Sequence, residues 1–437
     1  MNRYSANFRF FILWALTIMG MTACDTAKNV EDPDLHYFVK YYGGDGNQSA
    51  VDILALDDGS FLLLGNYAES TIDSDIYLIC VNAEGNVLWE KRFSDNNNST
   101  AKDLEPTNDG NFIVLADYQS TDSLANGKLL KVSPEGTVLD VVFFGSLAND
   151  FSRTVTAIDD GGFIVSGTTE LTSTWTDPNN PNPDLGNFFN YRFDQNLGEL
   201  STSDWGPVTP GFGGLQDVSV RTLQTQGVFY VFGYSNNDIS NSNPNANLGL
   251  FYFGRDSDGD AIGVSYPGDP GHVLHEKTEI NFAQAVAPEL GTGFVVIGTS
   301  QDNLGVVSEI FFARMRSVLT FSNTPLQDDI TLYKTIRLNR KIRGVSAASS
   351  LAGSVGYLVL GDEVRGTGAF NIWISKIDQS GTILWSSTFG SEEGDDSAAG
   401  VVELPDGKIV ILGTMGLADN QFKMALIKLN PGGQLLK

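Results

Sequence analysis

Short strands grouped into a repeated four-strand unit, with the units arranged in a ring, are what this 437-residue sequence predicts. Three observations lead there. A turn followed by an apolar strand returns at a fixed pitch: "DDGSFLLLGN" at 57–66, "NDGNFIVLAD" at 108–117 and "DDGGFIVSGT" at 159–168, with Gly59, Gly110 and Gly161 spaced by 51 residues. The same unit then runs on to seven copies. Finally, the last copy stops short of its fourth strand, and a strand of the missing kind stands at the other end of the chain. Together these predict an all-β, seven-bladed β-propeller closed by an N-terminal strand that completes the last blade.

Each element has its own signal. An aromatic or aliphatic residue sits four before a glycine in Phe61/Gly65, Phe163/Gly167, Phe229/Gly233, Phe294/Gly298, Tyr357/Gly361 and Ile409/Gly413, while Phe112 pairs with Ala116. The turn glycines ahead of the later copies are Gly227, Gly293, Gly356 and Gly407, at spacings of 66, 66, 63 and 51. The innermost strand of a unit reads "AVDILAL", "TVTAI" or "GVVEL". After the glycine come a polar loop and a third strand, as in "DIYLICVN", "GKLLKVS", "NIWISKID" and "KMALIKLN". A glycine turn ("NAEGN", "SPEGT", "DQSGT") and an outer strand ("VLWEKRF", "VLDVVFF", "ILWSSTF") complete most copies. One such sheet alone leaves a face wet, and neighbours packed about an axis bury it.

The seventh copy stops at "NPGGQLLK" where the first continues as "NAEGNVLWEKRF". Its missing outer strand is matched by "LHYFVKYYGG" at 35–44, which has no partner strands beside it in sequence. Pairing the two removes an exposed sheet edge. An open array or two separate domains are the alternatives.

Composition bounds the functional classes. A hydrophobic content of 41% with 11% aromatics supports packed cores, and 47 glycines suit many turns. The formal charge of −26 excludes a nucleic-acid partner, because phosphate binding needs a basic face. Cys80, inside "DIYLICVN", reads as a small core residue.

The N-terminus carries a different message. Arg3 and Arg9 precede "FFILWALTIMGM", an apolar run too short to span a bilayer, and "MTAC" follows. This is the outline of a secretory signal, and its end resembles the lipobox of bacterial lipoproteins, with Met21 where leucine is usual. The resemblance implies a signal peptide at 1–23, an acylated Cys24, a polar tether at 24–34 and a propeller over 35–437. It places the protein in the cell envelope, on the outer membrane, facing either the periplasm or the exterior. A plain signal peptide or an uncleaved anchor is the alternative.

Two turns point to a family. "EGNVLW" (Gly85 to Trp89) and "SGTILW" (Gly381 to Trp385) resemble the Gly-x-x-x-Trp turn of quinoprotein-like repeats. With the DGG-F-I-V-x-G pattern, nearly all of the chain after the leader resembles the WD40-like propeller lipoproteins common in Bacteroidota. The resemblance implies architecture and leaves activity open.

The functional face is expected where the extra length lies. Loops between second and third strands share a face with the loops between blades, and two of the former are long: 170–187 and 235–249. Trp175 is the exposed-indole candidate for a sugar or a protein partner. Asp45, Asp150, Asp269, Glu392, Glu393, Asp395 and Asp396 are the candidate acidic rim. Tolerated surface drift is the plainer account of both.

No metal is expected. The "DSDGD" turn (Asp256, Asp258, Asp260) begins like a calcium loop without its later bidentate acid, and His272 and His275 have no third ligand beside them. No organic cofactor is expected either. The basic run Lys334, Arg337, Arg340, Lys341, Arg343 reads either as a guard on a strand edge or as a dock for acidic partners or lipid headgroups.

Two functions remain. One is an anchored lipoprotein whose propeller binds or scaffolds an envelope protein or a glycan. The other is a propeller enzyme, either a glycan-acting hydrolase or lyase or a quinoprotein-like oxidoreductase. Paired carboxylates with an arginine at the central mouth would favour the enzyme.

Overall fold

The computed structural model describes residues 37–435 except 70–73, 95–97, 120–123, 147–148, 171–185, 206–216, 226–227, 236–248, 256–260, 263–279, 290–292, 302–308, 317–329, 351–355, 367–368, 393 and 418–420. Every regular element in them is a β-strand. Strand β1 (Phe38–Tyr42) comes first. Sheet I follows as β2 (Asn47–Ala55), β3 (Phe61–Ala68), β4 (Ser74–Val81) and β5 (Val87–Phe93). Sheet II is β6 (Asn98–Pro106), β7 (Phe112–Gln119), β8 (Asn126–Val132) and β9 (Val138–Phe144). Sheet III is β10 (Asp150–Ala157), β11 (Phe163–Glu170), β12 (Gly186–Phe193) and β13 (Glu199–Trp205). Sheet IV is β14 (Asp217–Thr225), β15 (Val228–Ser235), β16 (Gly249–Arg255) and β17 (Ala261–Ile262). Sheet V is β18 (Ile280–Glu289), β19 (Gly293–Gln301), β20 (Glu309–Arg316) and β21 (Ile330–Arg337). Sheet VI is β22 (Ile342–Ser350), β23 (Tyr357–Val364), β24 (Phe370–Ile377) and β25 (Ile383–Phe389), and β26 (Ser397–Glu403), β27 (Ile409–Leu417) and β28 (Gln421–Leu429) complete the chain. These last three form sheet VII, in the order β26-β27-β28-β1.

Strand β1 runs antiparallel to β28, with Phe38 opposite Lys428 and Tyr42 opposite Met424. The first and last strands of the described chain therefore share one sheet. Apolar clusters fill the junctions between successive sheets. Phe61 and Leu63 of sheet I meet Val410 and Leu412 of sheet VII, with Phe38 and Tyr42 in the same cluster. Cys80 is buried between sheets I and II, in a cluster with Leu62, Leu104 and Val114, and burial pushes its thiol pKa up.

A single irregularity recurs in every innermost strand. The pairing register slips by one residue between Ala50 and Asp52, Ala101 and Asp103, Ser152 and Thr154, Ser219 and Arg221, Ala283 and Ala285, Val345 and Ala347, and Ala398 and Gly400. A bulge of this kind raises the local twist and takes an amide out of the ladder. The neighbouring sheet satisfies that amide. Asn66 Oδ1 accepts Ala101 N at 2.8 Å, Asp117 Oδ1 accepts Ser152 N at 2.8 Å, and Gln284 Oε1 accepts Val345 N at 2.9 Å. Asp362 Oδ1 accepts Ala398 N at 2.7 Å, and Thr414 Oγ1 accepts Ala50 N at 2.9 Å, from sheet VII to sheet I. Asn66, Asp117, Asp362 and Thr414 all directly follow the small residue of the repeated motif. That residue is small because the bulged strand crowds it: a Cβ on Gly413 would lie 2.8 Å from Ser397 O.

The outer rim has its own fastening. A glycine of the turn between third and outer strands lies under a side chain from the preceding sheet. Gly136 sits beneath Trp89, whose indole Nε1 donates to Pro134 O at 3.0 Å, and Gly433 beneath Trp385. At the seam the role passes to β1: the Phe38 and Tyr42 rings cover Gly85, and Tyr42 donates its hydroxyl to Gly85 O at 2.8 Å. The Gly-x-x-x-Trp turn thus receives one sheet and reaches the next.

The expectation of seven equivalent blades requires correction. Among the described residues six sheets carry outer strands of five to eight residues, and sheet IV has Ala261–Ile262 in that place. Among the described residues six blades are full, which overturns the expectation of seven equivalent blades.

Two substitutions test this account. Thr414→Val keeps the shape but leaves Ala50 N without its acceptor, and should cost about 1–3 kcal/mol of unfolding free energy in urea titrations. Gly136→Ala places a Cβ 2.8 Å from the Trp89 ring at a φ of +78°, and should cost about 1–3 kcal/mol by the same measurement.

Candidate functional site

The residue after each bulge stands on the innermost strand, nearest the axis. In four of the sheets it is polar or charged: Asp52 in I, Asp103 in II, Thr154 in III and Arg221 in IV. Glu105, two residues beyond Asp103, shares its side of β6 by strand alternation. Asp52 and Asp103 hydrogen-bond through their carboxyl groups, and Arg221 acts electrostatically on both Asp52 and Glu105. Three acids and a guanidinium from three blades thus converge about the axis.

Most of the donors around these groups are already engaged. Ile53 N donates to Asp52 Oδ1 at 2.8 Å, while Thr154 Oγ1 and Val155 N both donate to Asp103 Oδ2 at 2.8 Å. Glu105 has no hydrogen-bond partner among the described residues. Sheet VII contributes Gly400 at this level. A Cβ there would come within 2.7 Å of Ile53 Cγ2 and 3.3 Å of Asp52 Oδ1, so glycine is what leaves the Asp52 carboxyl uncovered on that side.

The electrostatics follow from enclosure. Burial raises the Asp52 pKa well above the carboxylate range and the Asp103 charge adds to this, against the Ile53 amide and Arg221. Glu105 is pushed up to about 8, first by burial and then by Asp103, with Arg221 opposing. Such groups hold protons near neutrality and can exchange them. Among the described residues no set of three His, Cys, Asp or Glu side chains has the spacing to hold a metal ion.

The described acids of the expected rim differ in their surroundings. Asp150 is buried at the start of β10, accepting from Ser146 N and, at 3.1 Å, from Ser146 Oγ of the preceding loop. Asp396 is likewise buried, accepting Ser391 N at 2.7 Å, Ser391 Oγ at 3.0 Å and Gly416 N at 3.0 Å. Both carboxylates shape their own connecting loops. Asp45, Glu392 and Asp395 are exposed; Asp395 accepts Phe370 N at 3.2 Å, and Asp45 lies in the loop from β1 to β2. Cys24, Trp175, Asp269, Glu393, the histidines and the "DSDGD" acids fall outside the described residues.

The basic run is largely paired. Arg337 meets Glu309 at 2.6 Å, Arg340 meets Glu363 at 2.9 Å, and Arg343 meets Asp362 at 2.5 Å. Lys334 donates to Ser380 O at 3.4 Å. The Lys334 contact joins sheet V to sheet VI and Arg340 ties the connection between them to sheet VI, whereas the Arg337 pair lies within sheet V and the Arg343 pair, within sheet VI, braces the Asp362 clasp.

No family model and no curated protein matches the chain. Solved structures do resemble it. Drosophila Semaphorin 1a, extracellular domains 1-2, aligns with a TM-score of 0.51 at 7% identity over 90% of this chain and 87% of that one. The β-propeller domain of the Trilobed protease from Pyrococcus furiosus aligns at 0.48 and 12% over 90% and 98%. Penicillium chrysogenum alpha-L-arabinanase complexed with arabinobiose aligns at 0.44 and 11% over 75% and 92%. What is shared is the fold: this chain is a β-propeller of four-stranded blades.

Glu105 makes stability depend on pH in a defined direction. Between its ordinary value of 4.5 and about 8, the folded chain keeps a proton that the unfolded chain has released. Stability therefore falls as pH rises through that window and levels off above it. In Glu105→Gln the slope of unfolding free energy against pH should shrink by the contribution of about one proton, measured by urea titration at several pH values.

Proposed function

We propose that the protein is a binding propeller of the cell envelope, held at the outer membrane by acyl groups on Cys24, with its ligand site in the axial channel. The observation that carries this reading is the convergence of Asp52, Asp103, Glu105 and Arg221, with one of the carboxyls left without a hydrogen-bond donor. Structural acids in this fold are saturated, as Asp150 and Asp396 are, whereas the axial group keeps acceptors free at the centre of a rigid ring. An envelope protein presenting a side chain, or a glycan end, is the class of partner that would reach it.

A second reading, a glycan-acting hydrolase or lyase, is favoured by one specific feature. Asp52 and Asp103 share a hydrogen bond beside an arginine, and Glu105 titrates near 8, which suits a general acid.

One set of measurements separates the two. The full chain and its Asp52→Asn/Asp103→Asn variant are screened against glycan arrays and envelope extracts, with product release followed in parallel. Binding without turnover, weakened at least about tenfold in the variant, supports the binding reading. Turnover of a glycan that is lost in Glu105→Gln replaces it with the enzyme. Mass spectrometry of the N-terminal peptide should find Cys24 acylated in the wild type and the protein released from membranes in Cys24→Ser.

A further inference from the structure

Resting on the reading of an acyl anchor at Cys24, we infer that the rim at the end carrying the turns between third and outer strands sits on the bilayer, touching it through one exposed leucine from each of four blades.

A second bulge recurs on the outer strands. Their pairing with the third strand slips by one residue between Cys80 and Val81, Lys131 and Val132, Arg192 and Phe193, Arg314 and Met315, and Lys376 and Ile377. The residue left over on the outer strand is, in turn, Leu88, Leu139, Leu200, Thr331 and Leu384. Each of the four leucines is more than half exposed. A bulge on an edge strand already blocks the addition of a further strand, and a polar residue such as Thr331 serves that purpose as well. A single exposed leucine needs no account, but four at one repeated position do. In sheets I and II the apolar surface is wider, because Val87 and Val138 beside the leucines, and Val141 and Phe143 further along β9, are exposed too.

Equal positions in a ring of like sheets lie at one level along its axis, so the leucines define a plane. A protein partner would have to present four matching sites at that spacing. A bilayer is planar and accepts an apolar side chain at any point of its surface. Strand addition by a second copy is barred at the bulges themselves.

The entry point of the chain selects the same end. The bulges directly follow the turns between third and outer strands, and β1 packs on one of those turns. A Cβ on Gly85 would lie 2.8 Å from the Phe38 ring, Tyr42 donates to Gly85 O at 2.8 Å, and Lys40 Nζ donates to Asn86 Oδ1 at 2.7 Å. Gly85 and Asn86 immediately precede Val87 and Leu88. The segment from Cys24 thus joins the ring beside one of the leucines, and it can extend at most about 45 Å before Tyr37. An anchor at the far end of that segment holds this rim, rather than the loop-bearing face, nearest the lipid. Several acids at this end are engaged: Asp109 with Lys131 at 2.7 Å, Asp160 with Arg192 at 2.6 Å and Asp406 with Lys408 at 2.7 Å. Asp57, Glu84 and Glu135 stay exposed, so contact with zwitterionic lipid is stronger than with anionic lipid.

The experiment places single cysteines, labelled with an environment-sensitive fluorophore, in the acylated protein reconstituted on vesicles of phosphatidylcholine and phosphatidylethanolamine. Cys80 is buried and Cys24 carries the acyl groups, which leaves the added thiol as the reactive one. Nitroxide-bearing lipid should quench labels at Leu88→Cys, Leu200→Cys and Leu384→Cys at least about threefold more than labels at Leu124→Cys and Glu392→Cys, exposed residues of the loop-bearing end. Leu88→Ser/Leu139→Ser/Leu384→Ser should stay on the vesicles through its anchor and lose at least about half of the quenching at Leu200→Cys. Phosphatidylglycerol added to the vesicles should lower that quenching in the wild-type background. Equal quenching at both ends, or at neither, on vesicles that carry the protein would overturn the inference while leaving the anchored propeller standing. So would shielding of the leucine labels by envelope protein and not by lipid, which would make the rim a protein dock. Failure to float with vesicles, with Cys24 found unmodified by mass spectrometry, would remove both.

Discussion

An amide displaced from its ladder governs the organisation of this propeller. The innermost strands are bulged at one common position, and the N–H set free there lies in the interior, where an unpaired donor is costly. At five junctions a side chain from the preceding sheet supplies the acceptor. Hydrogen bonding within a blade is thereby left incomplete, and only the adjacent blade completes it. Apolar burial between sheets supplies the larger share of the cohesion, but it is non-directional. The clasps add the direction, fixing the height and rotation of each sheet against the next.

The same bulge produces the candidate site. By inserting one residue it re-aims the next, and in sheets I, II and IV that residue is ionisable. The scaffold device and the chemistry are therefore inseparable in sequence: Ala50-Val51-Asp52 and Ala101-Lys102-Asp103 each hold a clasped amide, a bulged residue and an axial acid within three positions. Loops usually carry function on a fold of this kind. Here ionisable residues recur on the strands themselves, while Asp150 and Asp396 hold the connections beside them.

Much of the architecture was legible because strands, glycine turns and repeat pitch all leave periodic marks. The pairing of residues 38–42 with 424–428 follows from a missing strand at one end and a spare one at the other. The departure of sheet IV was less legible, since a full fourth strand was assumed there from its neighbours, and two residues of it are described. The axial group escaped notice for a different reason. Asp52 and Asp103 lie 51 residues apart at matching positions, a signal present in "AVDILAL" and "AKDLEP". Reading them as core strands drew attention to the hydrophobic residues and away from the acids. Asp150 and Asp396 misled in the opposite direction: an acid in a glycine-rich loop looks like a ligand for solvent or metal, whereas both turn inward to hold serine amides.

The placement of β1 also bears on how the ring is made. Its five residues bridge the sheet built last and the turn glycine of the sheet built first, so they have no edge to join until about 380 further residues have been synthesised. Closing the ring is therefore a long-range contact, and its loop-entropy cost is set by the whole length of chain between the two strands. Any pull arriving through the N-terminal segment afterwards loads this same short pairing before it reaches any other part of the ring.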